Sequence, residues 1–196
     1  MVTKSALETP FWFSQSERLS EKICDEIIES GKALQSETSA VVDAGIHTKQ
    51  QTNTKIRKSG TAFFPMGHYL EELLMAYVER ANNEAWNFRL SQYERIQFGI
   101  YKRLGFYNWH ADTYYKPNQP IRKLSVTVNL SDPRDYAGGN FEIKNIEGTP
   151  LQMPFESLRA RGTVIVFPSF LQHRVTEVKR GTRYSLVQWL VGPDFV

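Results

Sequence analysis

The chain has 196 residues, a formal net charge of +3, 41% hydrophobic residues and 23% charged residues. These values fit one globular domain with a sizeable core and exclude a disordered or low-complexity chain. No apolar run approaches the roughly 18 residues of a membrane span, and MVTKSALETPFWF has no basic stretch followed by an apolar one, so neither anchor nor leader is expected.

The first third reads as helical. In SERLSEKICDEIIESGKAL, Leu19, Ile23, Ile27, Ile28 and Leu34 keep to one helical face, and Gly31 is expected to weaken the last turn. Cys24, the one cysteine, falls in this helix. It excludes an internal disulfide and predicts a small buried side chain in a reduced, cytoplasmic protein. Residues 38–60 are polar and read as an exposed connection. After Gly67 a second helix is predicted, with Leu70, Leu73, Leu74, Tyr77, Val78 and Ala81 on one face.

Beyond about residue 92 the period changes from 3.6 to 2. RIQFGIYKRL, KLSVTVNLS, GGNFEIKN, GTVIVFPS, HRVTEV and TRYSLVQWLV are short, β-branched or aromatic, and bounded by turn residues. They predict an all-β sandwich or barrel. In KLSVTVNLS, Leu124, Val126, Val128 and Leu130 share one face, and Lys123, Ser125, Thr127 and Asn129 share the other. The polar face either meets solvent or lines a polar pocket; periodicity alone favours solvent slightly. Basic residues are scattered. A cluster at 174–183 lacks the continuous stripe of a nucleic-acid binder, so neither nucleic acid nor a membrane is expected as partner.

The motif with chemical content is YNWHADTYY, residues 107–115. On a strand, His110 and Asp112 project to the same side and can reach one ion. A third ligand must come from elsewhere. His47 lies in the polar connection and His68 at the start of the second helix, where surface or capping roles are expected. His173 follows TVIVFPS at a strand end, where a barrel can return it over His110 and Asp112. Two histidines and one carboxylate suit a facial non-haem Fe(II) site, with a hydrolytic zinc site as the rival. Arg183 and Ser185, in GTRYSLVQWLVG, share a strand face. An inward Arg beside a hydroxyl makes a clamp for a carboxylate co-substrate; an outward one is an ordinary edge-strand Arg. Tyr101 lies on the strand that feeds the histidine motif, as a third polar contact or as core.

With these residues aligned, the second half resembles the 2-oxoglutarate- and Fe(II)-dependent dioxygenases, and more narrowly the prolyl 4-hydroxylase-like, PKHD-type group. The matching stretches are Tyr101 through GFYNWHAD, then RKLSVTVNLSD, YAGGNFEI, GTVIVFPSFLQHRVTEV and GTRYSLVQW, covering roughly residues 93–192. The resemblance implies a double-stranded β-helix (jelly roll), mainly β, with N-terminal supporting helices. It implies one domain over 1–196, with helical support over about 1–90 and the β-helix core over about 93–192. It implies that His110, Asp112 and His173 ligate Fe(II), and that Arg183 holds the distal carboxylate of 2-oxoglutarate with help from Ser185 and Tyr101. Asn129, where some members place a pocket Tyr, is a weaker co-substrate candidate. The collagen-type enzymes carry Lys in place of Arg183, and some oxygen-sensing members carry Thr in place of Val187.

The implied reaction uses Fe(II), 2-oxoglutarate and O2, with ascorbate as an accessory reductant. It hydroxylates a C–H bond and releases succinate and CO2. Related halogenases replace the carboxylate that is Asp112 here with a small residue, so Asp112 favours hydroxylation. Tyr107, Trp109, Tyr114, Tyr115, Arg122 and Trp189 are the candidates for a substrate groove that suits a proline ring or an extended peptide. TYYKPNQP, residues 113–120, reads as a loop over the pocket, a candidate lid. The leading expectation is a peptide or protein prolyl hydroxylase. The alternatives are hydroxylation of a free amino acid or small molecule, oxidative demethylation of nucleic acid, and a jelly-roll binding domain with a vestigial metal site. The demethylases carry a second Arg shortly after the first, where this chain has SLVQWLV; a vestigial site requires a missing ligand; a cupin prefers His-x-His.

Overall fold

The computed structural model describes residues 9–43, 56–113 and 120–194. The first half carries β1 (Trp12–Phe13), α1 (Glu21–Asp43), β2 (Arg57–Lys58), β3 (Gly60–Phe63), α2 (Leu70–Ala85), β4 (Gln92–Tyr93) and β5 (Gln97–Tyr101). The second carries β6 (Phe106–His110), β7 (Ile121–Asn129), β8 (Ala137–Gly138), β9 (Phe141–Ile143), α3 (Phe155–Arg159), β10 (Val164–Pro168), β11 (His173–Val175), β12 (Val178–Arg180) and β13 (Arg183–Gly192).

A major antiparallel sheet runs β1-β10-β7-β13-β5-β3, with β4 adding to β13. A minor sheet runs β2-β6-β11-β9, and β12 pairs with β8 in a separate ribbon. The fold is the expected double-stranded β-helix, mainly β, with α1 and α2 on the outside of the major sheet. Alternation in β7 explains the layering. Leu124, Val126, Val128 and Leu130 are fully buried in one cluster with Cys24, Ile27, Leu70, Leu74 and Val78 of the helices. Each such side chain contributes about 1.5–3 kcal/mol relative to exposure. The other face of β7 does not meet solvent: Ser125, Thr127 and Asn129 are buried too. The polar face points inward.

Two expectations fail in the N-terminal third. Residues 38–60 are not one exposed connection, because α1 continues to Asp43 and the end of the stretch forms β2 and starts β3. Their pairing escapes a hydropathy reading because it rests on main-chain ladders, β2 with β6 and β3 with β5. Gly31 does not fray the helix. It is a contact point: a Cβ there would sit 2.5 Å from the Phe98 ring, so only Gly lets α1 lie this close to β5. Cys24 is buried as expected, and burial pushes its thiol up to about 11. His68 accepts from the Leu70 N–H through Nδ1 at 3.4 Å, a capping position at the start of α2; His47 lies outside the described residues. Among the described residues, no helix is long and apolar enough to cross a membrane.

A candidate metal centre and co-substrate cavity

β6 and β11 are neighbours in the minor sheet, and His173 stands directly opposite His110. Their rings lie 4.2 Å apart. Asp112 does not reach them by strand alternation, because β6 ends at His110. Instead its backbone N–H donates to Ser169 O at 2.9 Å, which turns the carboxylate back over the two rings. Asp112 Oδ1 is then 3.6 Å from His110 Nε2, and Oδ2 is 3.4 Å from His173 Nε2. One donor atom from each residue falls within 4.8 Å of the others, the only such group of three metal-type ligands among the described residues.

The surrounding hydrogen bonds orient these donors. His110 Nδ1 lies 2.7 Å from Asn108 O, and His173 Nδ1 lies 3.1 Å from Leu171 O. A carbonyl only accepts, so each Nδ1 carries a proton, which in the neutral ring leaves Nε2 to present a lone pair. The Ser125 hydroxyl donates to Asp112 Oδ2 at 2.7 Å and lies 2.9 Å from Ser169 Oγ. Burial lowers the His110 imidazole to about 4, helped by neighbouring His173. It is therefore neutral at ordinary pH, as a ligand must be. Burial alone would raise the Asp112 carboxyl; His173, His110 and the Ser125 hydroxyl outweigh it and leave the group below the usual carboxylate range. The Trp189 indole N–H adds to that effect, although its buried Nε1 meets no partner in full hydrogen-bond geometry.

The three residues line one wall of a cavity of about 500 Å³ between the sheets. Strand β13 supplies a second wall through Arg183, Ser185, Val187 and Trp189, four alternate positions on one face. Arg183 is 3% exposed, and its Nη1 is buried with no hydrogen-bond partner. The Tyr101 ring lies 5.5 Å from its guanidinium and also lines the cavity. Ser185 packs over Gly99, where a Cβ would sit 2.9 Å from the serine hydroxyl. Asn129 does not belong to this wall. Its Nδ2 donates to Ser131 O at 2.9 Å and Arg159 O at 2.6 Å, and its Oδ1 accepts from the Tyr136 hydroxyl at 3.3 Å. Its amide is committed to holding loops together.

The aromatic candidates separate. Tyr107 lines the cavity and stacks on His110 with centroids 3.5 Å apart. Trp109 does not line it. A bulge in β6 sets the three-residue step from Tyr107 to His110 against the two-residue step from His173 to Val175. The extra residue inverts the alternation, so Tyr107 and His110 face inward while Trp109 turns out between Lys144 and Arg174, each 4.6 Å from its ring centre. A second bulge, at Lys123 between Leu124 and Arg122, lets Arg122 reach the cavity. Its guanidinium lies 3.9 Å over the Trp189 ring and is gripped by Glu94 at 2.7 and 2.6 Å. Tyr114, Tyr115 and all but the ends of 113–120 lie outside the described residues.

The sequence reading missed Ser125, Glu94 and Arg57. Ser125 was visible as the centre of a polar strand face. Glu94 gave no local signal. Arg57, in the polar stretch, lines the cavity with its guanidinium 4.8 Å over the Tyr107 ring.

The donor set fits Fe(II): two imidazoles and one carboxylate, with both Nε2 atoms turned toward Asp112. The orphaned Arg183 Nη1 fits the carboxylate of an organic acid, because a buried guanidinium nitrogen without a partner is costly until an anion meets it.

Comparison with known proteins agrees with this geometry. Residues 96–191 match the profile of the 2OG-Fe(II) oxygenase superfamily. A PKHD-type hydroxylase from Synechococcus sp. (strain JA-2-3B'a(2-13)) is 31% identical over 125 residues, covering 62% of this chain and 53% of that protein. The chain thus spans about half the length of the curated relatives it matches. A prolyl-4-hydroxylase from Pseudomonas putida superposes with a TM-score of 0.64 at 17% identity, covering 94% of each chain. A prolyl hydroxylase from Trichoplax adhaerens, in complex with a hypoxia inducible factor oxygen degradation domain peptide, gives 0.63 at 16% identity, covering 93% of this chain and 83% of the other. Fold, donor set and sequence profile coincide: over residues 96–191 the chain carries the domain of the 2-oxoglutarate- and Fe(II)-dependent oxygenase superfamily, and it is similar in sequence to PKHD-type hydroxylases and in fold to prolyl hydroxylases.

Proposed function

We propose that the chain is a dioxygenase that hydroxylates a C–H bond of a prolyl residue in a peptide or protein, as a single cytoplasmic domain. The observation that carries the reading is one cavity with two prepared ends: His110, Asp112 and His173 converge on one wall, and Arg183 waits unpaired on another. The names of the relatives support hydroxylation, and the peptide held by the Trichoplax enzyme supports a polypeptide substrate. Fe(II), 2-oxoglutarate and O2, when bound, supply the oxidising power for inserting a hydroxyl group, with succinate and CO2 as co-products.

The chain's own residues do the rest. His110 and His173 offer Nε2 lone pairs fixed by their Nδ1 bonds. Asp112 stays ionised and is aimed by Ser125. Arg183 and Ser185 orient the co-substrate, with Tyr101 beside them. Phe141, Phe167 and Val175 make part of the wall apolar, which limits water. Tyr107, Trp189 and the Glu94-held Arg122 shape the mouth, and suit a flat, mostly apolar ring next to backbone carbonyls.

The test is succinate formation with Fe(II), 2-oxoglutarate and ascorbate, offered proline-containing peptides, free proline and methylated oligonucleotides. Peptide-stimulated turnover with one oxygen gained per peptide is expected. Stimulation by free proline alone moves the substrate to a small molecule, and stimulation by the oligonucleotide moves it to nucleic acid. No turnover at confirmed metal occupancy sinks the assignment.

A further inference from the structure

Four exposed cations from three distant segments meet on one outer surface beside the cavity. Lys58 ends β2, Lys102 and Arg103 form the turn between β5 and β6, and Lys179 lies on β12. The backbone ties these segments together. Lys58 pairs with Phe106. Leu104 N donates to Val178 O at 2.8 Å, and Val178 N donates to Gly105 O at 2.9 Å. The 174–183 cluster seen in the sequence is thereby split. Arg174 bonds Glu142 and Arg183 turns into the cavity, while Lys179 joins the outer surface.

None of the four cations has a carboxylate within ion-pair distance among the described residues. Elsewhere on the surface, pairing is frequent: Arg80 with Glu17 and Glu84, Arg161 with Asp25, Arg134 with Asp132. Glu177, the one acidic residue on these segments, makes no ion pair among the described residues either. Amid the cations stands Leu104, 41% exposed, an apolar residue on a charged turn. The surface continues into the cavity through β2: Lys58 faces out, while neighbouring Arg57 lines the cavity with its Nη2 buried and unpartnered.

We infer that this surface docks an acidic segment of the polypeptide substrate, which crosses the lip at β2 and delivers its target residue to the cavity. The inference rests on the proposed function for the identity of the substrate, and deepens it by fixing the charge of the flanking segment. Complementarity selects the occupant. An acidic flank neutralises unpaired cations, an apolar residue within it covers Leu104, and Arg57 Nη2 meets a carbonyl or carboxylate as the segment turns inward. A nucleic acid would meet the same cations, and the oligonucleotide in the test separates it from an acidic peptide.

Fluorescence anisotropy on the full chain reads this directly. The probes are a labelled peptide with a central proline and one flank of Asp and Glu, its Asn/Gln counterpart, and a labelled single-stranded oligonucleotide of equal charge. The acidic peptide should bind roughly tenfold more tightly than the neutral one, a margin several exposed ion pairs supply together, and the margin should shrink at high salt. The combined Lys102→Glu, Arg103→Glu, Lys179→Glu variant should lose the preference and keep its affinity for 2-oxoglutarate. Equal binding of the two peptides, a preference that survives charge reversal, or tighter binding of the oligonucleotide overturns the inference. Charge-selective binding without succinate formation would leave the surface standing and remove the proposed function; turnover without charge selectivity would do the reverse.

Discussion

The two ends of the cavity differ in what completes them. At the metal end, each chelating side chain is fixed by a protein hydrogen bond: His110 by Asn108 O, His173 by Leu171 O, Asp112 by Ser125. At the other end Arg183 is just as buried, yet its Nη1 has no partner. The contrast teaches how binding is divided. The chain prepares the metal site by orienting lone pairs before an ion arrives. At the other end it leaves a buried cation unsatisfied, so that, in the proposed function, the arrival of the co-substrate anion removes a desolvation cost.

Breaking the metal end should have the largest effect. Asp112→Ala removes the only carboxylate of the triad and is expected to abolish turnover, with metal retention after gel filtration falling to background. Arg183→Ala attacks the other end alone. It should weaken 2-oxoglutarate binding by about 1.5–3 kcal/mol, about one to two decades, while metal binding measured by calorimetry stays at the wild-type value. Ser125→Ala keeps all three ligands but loosens one. Metal affinity should fall about tenfold, the lower end for loss of a hydrogen bond to a ligand, with the 2-oxoglutarate affinity of the metal-saturated protein unchanged. The finest contrast is within β6. Tyr107→Leu should raise the KM for a peptide, and Trp109→Leu, two residues away and facing outward, should not. Equal effects of the two would show that the β6 bulge is misplaced.

What could be read from the sequence follows the physical rules that local patterns obey. The β7 alternation was plain, since period 2 is a backbone property. Which face was wet was not, because that depends on the second sheet. His110, Asp112, His173 and Arg183 stood out as residue types with few ordinary uses inside a barrel. The errors arose where one extra residue resets a strand or where a partner lies far away. Trp109 was read as groove because no sequence marks the β6 bulge. Asn129 was read as co-substrate binding because its partners, Ser131 and the Arg159 carbonyl across a loop, come from tertiary structure. Glu94, which grips Arg122, lies 28 residues upstream and could not be paired with it in advance. β2 and β3 were hidden because ladder bonds require no apolar side chain.

One crystal tests the central claim most directly: the protein grown without oxygen with Mn(II), a redox-inert stand-in for Fe(II), and 2-oxoglutarate, with anomalous scattering locating the metal. The account predicts a single strong peak between His110 Nε2, His173 Nε2 and the Asp112 carboxylate, and 2-oxoglutarate with its far carboxylate on Arg183 and Ser185. A metal bound elsewhere, or a co-substrate that leaves Arg183 unpaired, would contradict it.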